Sequence, residues 1–379
     1  MSSNTLPIRA SKRYYELDWL RVILILAVFL HHVFMPFNGD DWHITNTDSS
    51  KLLDDIMVYF EQIRLPVLFF IAGAGSYLLL QRASVWAFLK NKLLRLVVPF
   101  FVGMMLIVPP QEYFEHPEQY DGLMDAYRQR LLAFEPNHLW FLEFLIVFMC
   151  IAIPVNAWLR SAMGGAFTMW IARIARFRLG LFALVLFIIA IRCWLKATTV
   201  NEGHGIDNLA LSAFYGLFFL SGLLFMSSPN LWQSLALHRR TSATAMAVCS
   251  CLFYAYYLID FSNYASLEVR WALWWVMCSL VSWSAMLTLT GYASAYCTSS
   301  PAWLRTANSL IFPFYILHQT VIVALAYYIV QWPTTISVKS ITLLVVSSAI
   351  CAASCYVIIR PFTLTRRLFG MKPLPPAQH

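Results

Sequence analysis

Residues 14–37 read YYELDWLRVILILAVFLHHVFMPF, and from Trp19 to Phe37 only Arg21, His31 and His32 interrupt an apolar run. An apolar stretch of about 18 or more residues is long enough to cross the hydrocarbon core as a helix. Basic residues precede the run, as in a secretory leader. The run is too long for one, carries two histidines and lacks a small-residue cleavage site, so it reads as an uncleaved first span. Nine further stretches follow, near Tyr59–Leu80, Leu94–Val108, His138–Leu159, Leu179–Leu195, Leu209–Met226, Ala243–Phe261, Arg270–Tyr292, Ser309–Val330 and Lys339–Ile359. They are continuously apolar rather than alternating, which fits helices and not barrel strands. The composition agrees, with 60% hydrophobic and 12% charged residues in 379, against about 25% charged in a soluble domain. A disordered chain, a coiled coil and an ordinary soluble enzyme are excluded. The expected fold is all-α, a polytopic integral membrane protein of about ten transmembrane helices.

Charge sorts by side of the bundle. With the N-terminus taken as cytosolic, the inner segments hold 18 Lys/Arg, from Arg9, Lys12 and Arg13 through Lys90, Lys92 and Arg95 to Lys372, and only Glu16 and Asp18 as acids. The outer loops hold 14 acids and at most five cations. Lys/Arg bias sets orientation, so both termini are expected in the cytosol. The net charge of +8 is therefore mostly topology, and so apolar a chain offers too little polar surface for nucleic acid. The eight cysteines lie almost entirely within spans, with no metal-type CxxC pair, and read as small apolar packers without a disulfide framework. No Gly-rich phosphate loop, internal repeat or low-complexity tract breaks the pattern. One domain is expected over residues 1–379: a tail to 18, a bundle over 19–359 and a second tail from 360.

Ionisable groups inside spans cost roughly 2.5–3.5 kcal/mol each on insertion scales, so they mark a site or a buried pair. Asp18, Arg21 and His32 share one helix face, since eleven residues at about 100° each return His32 to within about 20° of Arg21. Asp18 stands one turn before Arg21, close enough to pair with it. His32 lies about 16 Å deeper. One reading is a polar groove ending in a proton-handling imidazole whose tautomer a carboxylate fixes. The plainer reading has Arg21 snorkelling to lipid phosphate and His32 bonding a backbone carbonyl. Glu143 is the carboxylate ranked first as a partner for a histidine. Glu61 and Arg64, at i,i+3, read as a structural ion pair. His318 is either a second polar wall or a satisfied bundle histidine. Lys90, Lys92 and Arg95 obey the positive-inside rule, and also suit diffuse contacts to an anionic cofactor.

Several motifs then align in order. Leu17-Asp18-Trp19-Leu20-Arg21 is followed by His32; Asp41-Trp42-His43 stands in the first outer loop. Arg64-Leu65-Pro66 leads into Phe69-Phe70-Ile71-Ala72-Gly73. Lys92 and Arg95 precede Pro99, and Pro110-Gln111, His138-Leu139-Trp140 and Tyr315-Ile316-Leu317-His318-Gln319 complete the set. This order resembles membrane-bound acyltransferase family 3, and within it the glucan-biosynthesis branch. The likeness covers residues 14–145 well and 309–322 as an isolated anchor. Ala72 stands where that family commonly has Ser, and Lys92 where it commonly has Arg. The chain ends about 20 residues after its last span, resembling stand-alone members rather than those fused to a hydrolase-like domain.

The resemblance implies a bacterial inner-membrane enzyme that moves an acyl group, succinyl or acetyl, from cytosolic acyl-CoA to a hydroxyl of an exported or extracytoplasmic glycan. Acyl-CoA is then a co-substrate, with no cofactor permanently bound. It places Lys92 and Arg95 at the CoA phosphates, His32 as general base, Asp18 and Arg21 at the entry, and Glu143 as a proton partner. Tyr315, His318, Arg64 and Trp140 line the substrate pocket. A succinyl donor needs one more cation, either Arg64 or Arg192. The rival reading is a polysaccharide or proton-coupled transporter, against which stands the absence of a repeated half with Gly/Pro-interrupted helices.

Overall fold

In hydrocarbon every backbone N–H and C=O must be satisfied within the chain, so long apolar segments become helices. The computed structural model describes residues 13–199, 203 and 205–373. Arg9, Lys12 and Glu202 of the charge count, and the last residues of the expected C-terminal tail, lie outside them. Among the described residues, ten helices are long and apolar enough to cross a membrane: α1 (Tyr15–Asn38), α2 (Lys51–Leu80), α3 (Leu94–Glu115), α4 (Asn137–Leu159), α5 (Gly180–Thr198), α6 (Leu209–Ser227), α7 (Arg239–Leu258), α8 (Leu267–Tyr296), α9 (Ala302–Ile329) and α10 (Ile336–Ile359). No strand occurs among the described residues.

The span count agrees with the sequence, while several bounds do not. α2 begins at Lys51, eight residues before its apolar run, because a polar first turn projects beyond that run. The third span, read as ending at Val108, continues to Glu115. Its helix breaks after Leu106 and restarts at Pro109, where a proline at the first helical position costs nothing. Gln111 is thereby carried inward and is fully buried. Shorter helices over Leu123–Arg130, Ala162–Ile174, Pro229–Leu237 and Thr363–Leu368 fall where only loops and a tail are read from the sequence.

α2 is the central helix, with 72% of its apolar window buried against 17% for α7 at the edge. Its closest neighbour is α6, and two glycines explain why. A Cβ on Gly73 would lie 1.9 Å from the Phe219 carbonyl oxygen, and one on Gly222 would lie 2.0 Å from that of Phe70. The two backbones therefore touch reciprocally, the small-residue packing by which membrane helices approach. α1 packs on α2 and α9 and ends on Gly39 at φ 97°, a left-handed cap that favours glycine. The chain then folds back, with Asn46 N–H donating to Pro36 O and Ser50 N–H to Phe37 O, both at 2.8 Å. That return sets Trp42 and His43 over the far end of α1.

Both described termini lie at one end of the bundle. Arg95, at the start of α3, donates from Nε and Nη2 to the Gly370 carbonyl at 3.0 and 2.7 Å. Gly370 has φ +70°, and a Cβ there would meet the Phe312 ring at 2.5 Å. This end is called basal, and the opposite end distal.

Candidate active site between the first, third and ninth helices

At the basal end α1, α2, α3, α4 and α9 diverge around a cavity of about 600 Å³. Its mouth carries Arg13, Arg21, Lys92, Arg95, Arg305 and Lys372 against Asp18, and its inner walls are apolar, with Ile71, Phe141, Leu145 and Tyr315. The Asp18–Arg21 pair expected from spacing forms, at 3.6 Å, and Asn308 completes it. Asn308 Nδ2 donates to Asp18 at 2.7 Å, while its Oδ1 accepts from Arg21 at 3.1 Å. Lys92 sits on a π turn, Leu89–Leu93, directly before α3. Its ammonium bonds no described residue, and burial together with Arg21, Arg95 and Lys372 lowers its pKa to about 8. Cations gathered at a partly desolvated mouth repel one another, and an anion relieves them. The two N–H groups on one edge of the Arg95 guanidinium are held by Gly370, while Arg95 still lines the cavity. It ties down the C-terminal segment, which supplies Lys372.

Deeper in the bundle lies a cluster of imidazoles. His32 from α1 stands with Nδ1 2.8 Å from His318 Nε2, and the rings are near-parallel, 13° apart. His318 Nδ1 meets the Tyr315 carbonyl. A carbonyl only accepts, so His318 carries its proton on Nδ1 and offers a lone pair at Nε2. His32 must then donate from Nδ1, which leaves its own lone pair at Nε2. Nothing among the described residues bonds that nitrogen. A backbone carbonyl thus dictates the tautomers of two histidines in series, and Trp42 lies against the outer face of His32, with ring centroids 6.3 Å apart.

A second branch runs from the same turn of α9. His138 donates from Nε2 to Ile316 O at 3.0 Å and accepts at Nδ1 from Gln111 at 3.2 Å. Gln111 also donates to Thr320, at 2.7 Å. Gln319 donates to Asn137 Oδ1 at 2.9 Å and lies 2.9 Å from His43 Nε2. His43 Nδ1 is paired with Glu115. Tyr315 joins the compartments: its ring closes the basal cavity, its hydroxyl donates to His138 O at 2.6 Å, and its carbonyl holds His318.

The structure therefore brings together His32, His318 and Tyr315, and it assembles Asp18 and Arg21 at the entry. Glu143 does not join them. It projects from the first turn of α4 and feels the charge of Asp207 rather than of a histidine, so the expected carboxylate partner is corrected. The carboxylate that does meet a histidine is Glu115, on His43. The expected Glu61–Arg64 pair is absent among the described residues, since Glu61 is exposed and Arg64 is buried. Trp140 packs against Phe144 and Tyr215, with ring centroids 5.3 and 5.9 Å apart. Asn308, Gln111, Thr320, Glu115 and Gly370 were missed as site residues. Asn308 had a readable signal: it lies seven residues before Tyr315 and eleven before Gln319, on one polar stripe of α9.

A glucans biosynthesis protein C of Escherichia coli K12 is 27% identical over 161 residues, 41% of this chain and 42% of that protein. One of Salmonella paratyphi A is 26% identical over 229 residues, 58% of this chain and 60% of that protein. The chain thus aligns with less than two thirds of the length of either relative. No solved structure matches it. A family model described as an acyltransferase domain spans residues 14–360, which takes in α1 through α10 and every residue of the imidazole cluster, and the chain belongs to that acyltransferase family.

Proposed function

We propose that this protein is an O-acyltransferase that takes an acyl group, succinyl or acetyl, from cytosolic acyl-CoA and places it on a hydroxyl of an extracytoplasmic or exported glycan. The observation that carries the reading is the sequence of tautomers fixed by the Tyr315 carbonyl, which presents a basic nitrogen on His32 beyond a cavity with a cationic mouth and an apolar interior. In this reading the basal end faces the cytosol of a bacterial inner membrane, as the Lys/Arg bias indicates. Lys92, Arg21 and Lys372 meet the CoA phosphates, and the pantetheine arm lies along Ile71, Phe141 and Leu145. The thioester reaches past Tyr315.

His32 Nε2 takes the proton of the acceptor hydroxyl as its oxygen attacks the thioester carbonyl. A C–O bond forms, the C–S bond breaks, and CoA leaves as a thiolate that is protonated on the basal side. The imidazolium formed on His32 is held by its Nδ1–H bond to His318. No serine or cysteine among the described residues bonds His32, so transfer is direct. The test is transfer of labelled acyl groups from acyl-CoA by purified protein in nanodiscs. His32→Ala lowers kcat by about 10²- to 10⁴-fold, the usual contribution of a general base, with unchanged elution as a folded monodisperse species. Undiminished transfer by that variant, or solute flux through wild-type vesicles that never transfer label, overturns the proposal.

A further inference from the structure

A second cavity at the basal end, of about 480 Å³, opens between the short helices Ala162–Ile174 and Pro229–Leu237 and the start of α7. Arg176 and Arg239 line it with Asn230, Gln233 and Ser234, and no acid does. The chain explains its level in the bundle. Arg176 stands just before α5 begins at Gly180, and Leu237 just before α7 begins at Arg239. The cavity therefore lies where two spans enter the apolar phase, at the height of lipid headgroups. His238 joins the ends of the two short helices, its Nε2 donating to Ala175 O at 3.1 Å.

The two arginines have donors to spare. Arg239 Nη1 donates to Ala236 O at 2.7 Å, but its Nε is buried with no hydrogen-bond partner among the described residues, and Nη2 bonds none of them either. Those two nitrogens form the fork that grips two oxygens of one phosphate. Arg176 is exposed, and its guanidinium bonds no described residue. The basal acids are committed elsewhere: Asp18 to Arg13, Arg21 and Asn308, and Glu16 to Trp232 Nε1 at 3.0 Å. Orientation accounts for the basic character of Arg160, Arg173, Arg178 and Arg240. It does not account for two arginines on one cavity with a fork left open. Exposed apolar side chains adjoin them, Leu237 in the lining itself and Phe177 next to Arg176. A soluble anion gains nothing from that border, whereas a lipid lays its chains along it and its phosphate on the cations. Asn230 and Gln233, whose amides bond no described residue, suit headgroup hydroxyls. We propose that this cavity binds an anionic phospholipid of the basal leaflet, its phosphodiester between Arg176 and Arg239 and a polyol headgroup on the two amides.

The probe is phosphatidylglycerol, set against phosphatidylcholine and inorganic phosphate, added to the full chain in a neutral detergent. Native mass spectrometry reads retention, and the unfolding midpoint reads stabilisation. The wild type retains phosphatidylglycerol and is stabilised by it, and not by phosphatidylcholine. Arg176→Gln spares the fold, since its side chain bonds nothing described, and weakens phosphatidylglycerol binding by about tenfold, the scale of one hydrogen bond to a charged group. Adding Arg239→Gln abolishes binding; where that double variant does not elute as a single species, Arg176→Gln alone decides. Arg173→Gln with Arg240→Gln removes the same charge from two exposed arginines outside the cavity and leaves binding unchanged. Equal weakening by that pair marks diffuse attraction to a basic surface and overturns the proposal. Equal retention of phosphatidylcholine overturns it, as does stabilisation by inorganic phosphate alone, the mark of a site for a soluble anion. Binding is read without turnover, so the outcome is independent of the acyl-transfer reading.

Discussion

His318 has no neighbouring carboxylate to lean on, and its orientation comes from the backbone at Tyr315. In the proposed reaction it positions His32, and its loss should differ in kind from the loss of the base. His318→Leu lowers kcat on the order of 10²-fold, less than the roughly 10⁴-fold that follows when a catalytic triad loses its tautomer-fixing carboxylate. It leaves KM for acyl-CoA nearly unchanged and displaces the acid limb of the kcat–pH profile, a shift that a purely structural defect would not produce. Lys92 makes a separate prediction. Its pKa of about 8 means that the ammonium is charged below that pH and neutral above it. KM for acyl-CoA therefore rises as pH increases through 8, and CoA binding near pH 8.5 takes up protons, because the bound anion raises that pKa again. Lys92→Arg, charged throughout, abolishes both effects in steady-state kinetics and in calorimetry run in two buffers of different ionisation enthalpy.

The contact of α2 with α6 shows what a motif can encode without chemistry. Gly73 closes the stretch from Phe69, and its reason is the Phe219 carbonyl that any Cβ would strike. Gly73→Ala and Gly222→Ala should each lower the unfolding midpoint in detergent, by an amount corresponding to about 1–3 kcal/mol of overpacking. Gly75, two residues on, has open space where a Cβ would stand, with nothing within 4 Å, so Gly75→Ala leaves the midpoint unchanged or higher. The sequence revealed the ten helices because their apolar runs are long, and it placed Asp18, Arg21 and His32 because one helix governs their spacing. It misjudged Glu143 and the Glu61–Arg64 pair because those readings required knowing which way a side chain leaves its helix at the bundle's end. Glu115 and Gln111 lay within a stretch read as loop, since the proline pair that restarts α3 looks in sequence like the end of a span.

At the scale of the whole molecule, a cationic basal mouth and a distal cluster of imidazoles are separated by Tyr315. If the mouth faces the cytosol, a cysteine introduced at Lys372 reacts with impermeant maleimide only after the inner face is exposed, whereas one at Asp48 reacts on intact spheroplasts. Reversed labelling would require the donor to enter from outside. The clasp between Arg95 and Gly370 has a bearing on how the protein is made. The third helix leaves the ribosome long before residue 370, and the wall that brings Arg366, Met371 and Lys372 to the mouth is made only after the tenth helix. A nascent chain inserted through its tenth helix therefore has its histidines in place but no finished vestibule. The mouth is complete only once residues 366–372 are made, so that a chain stalled or clipped before them sits in the bilayer without its full cationic rim.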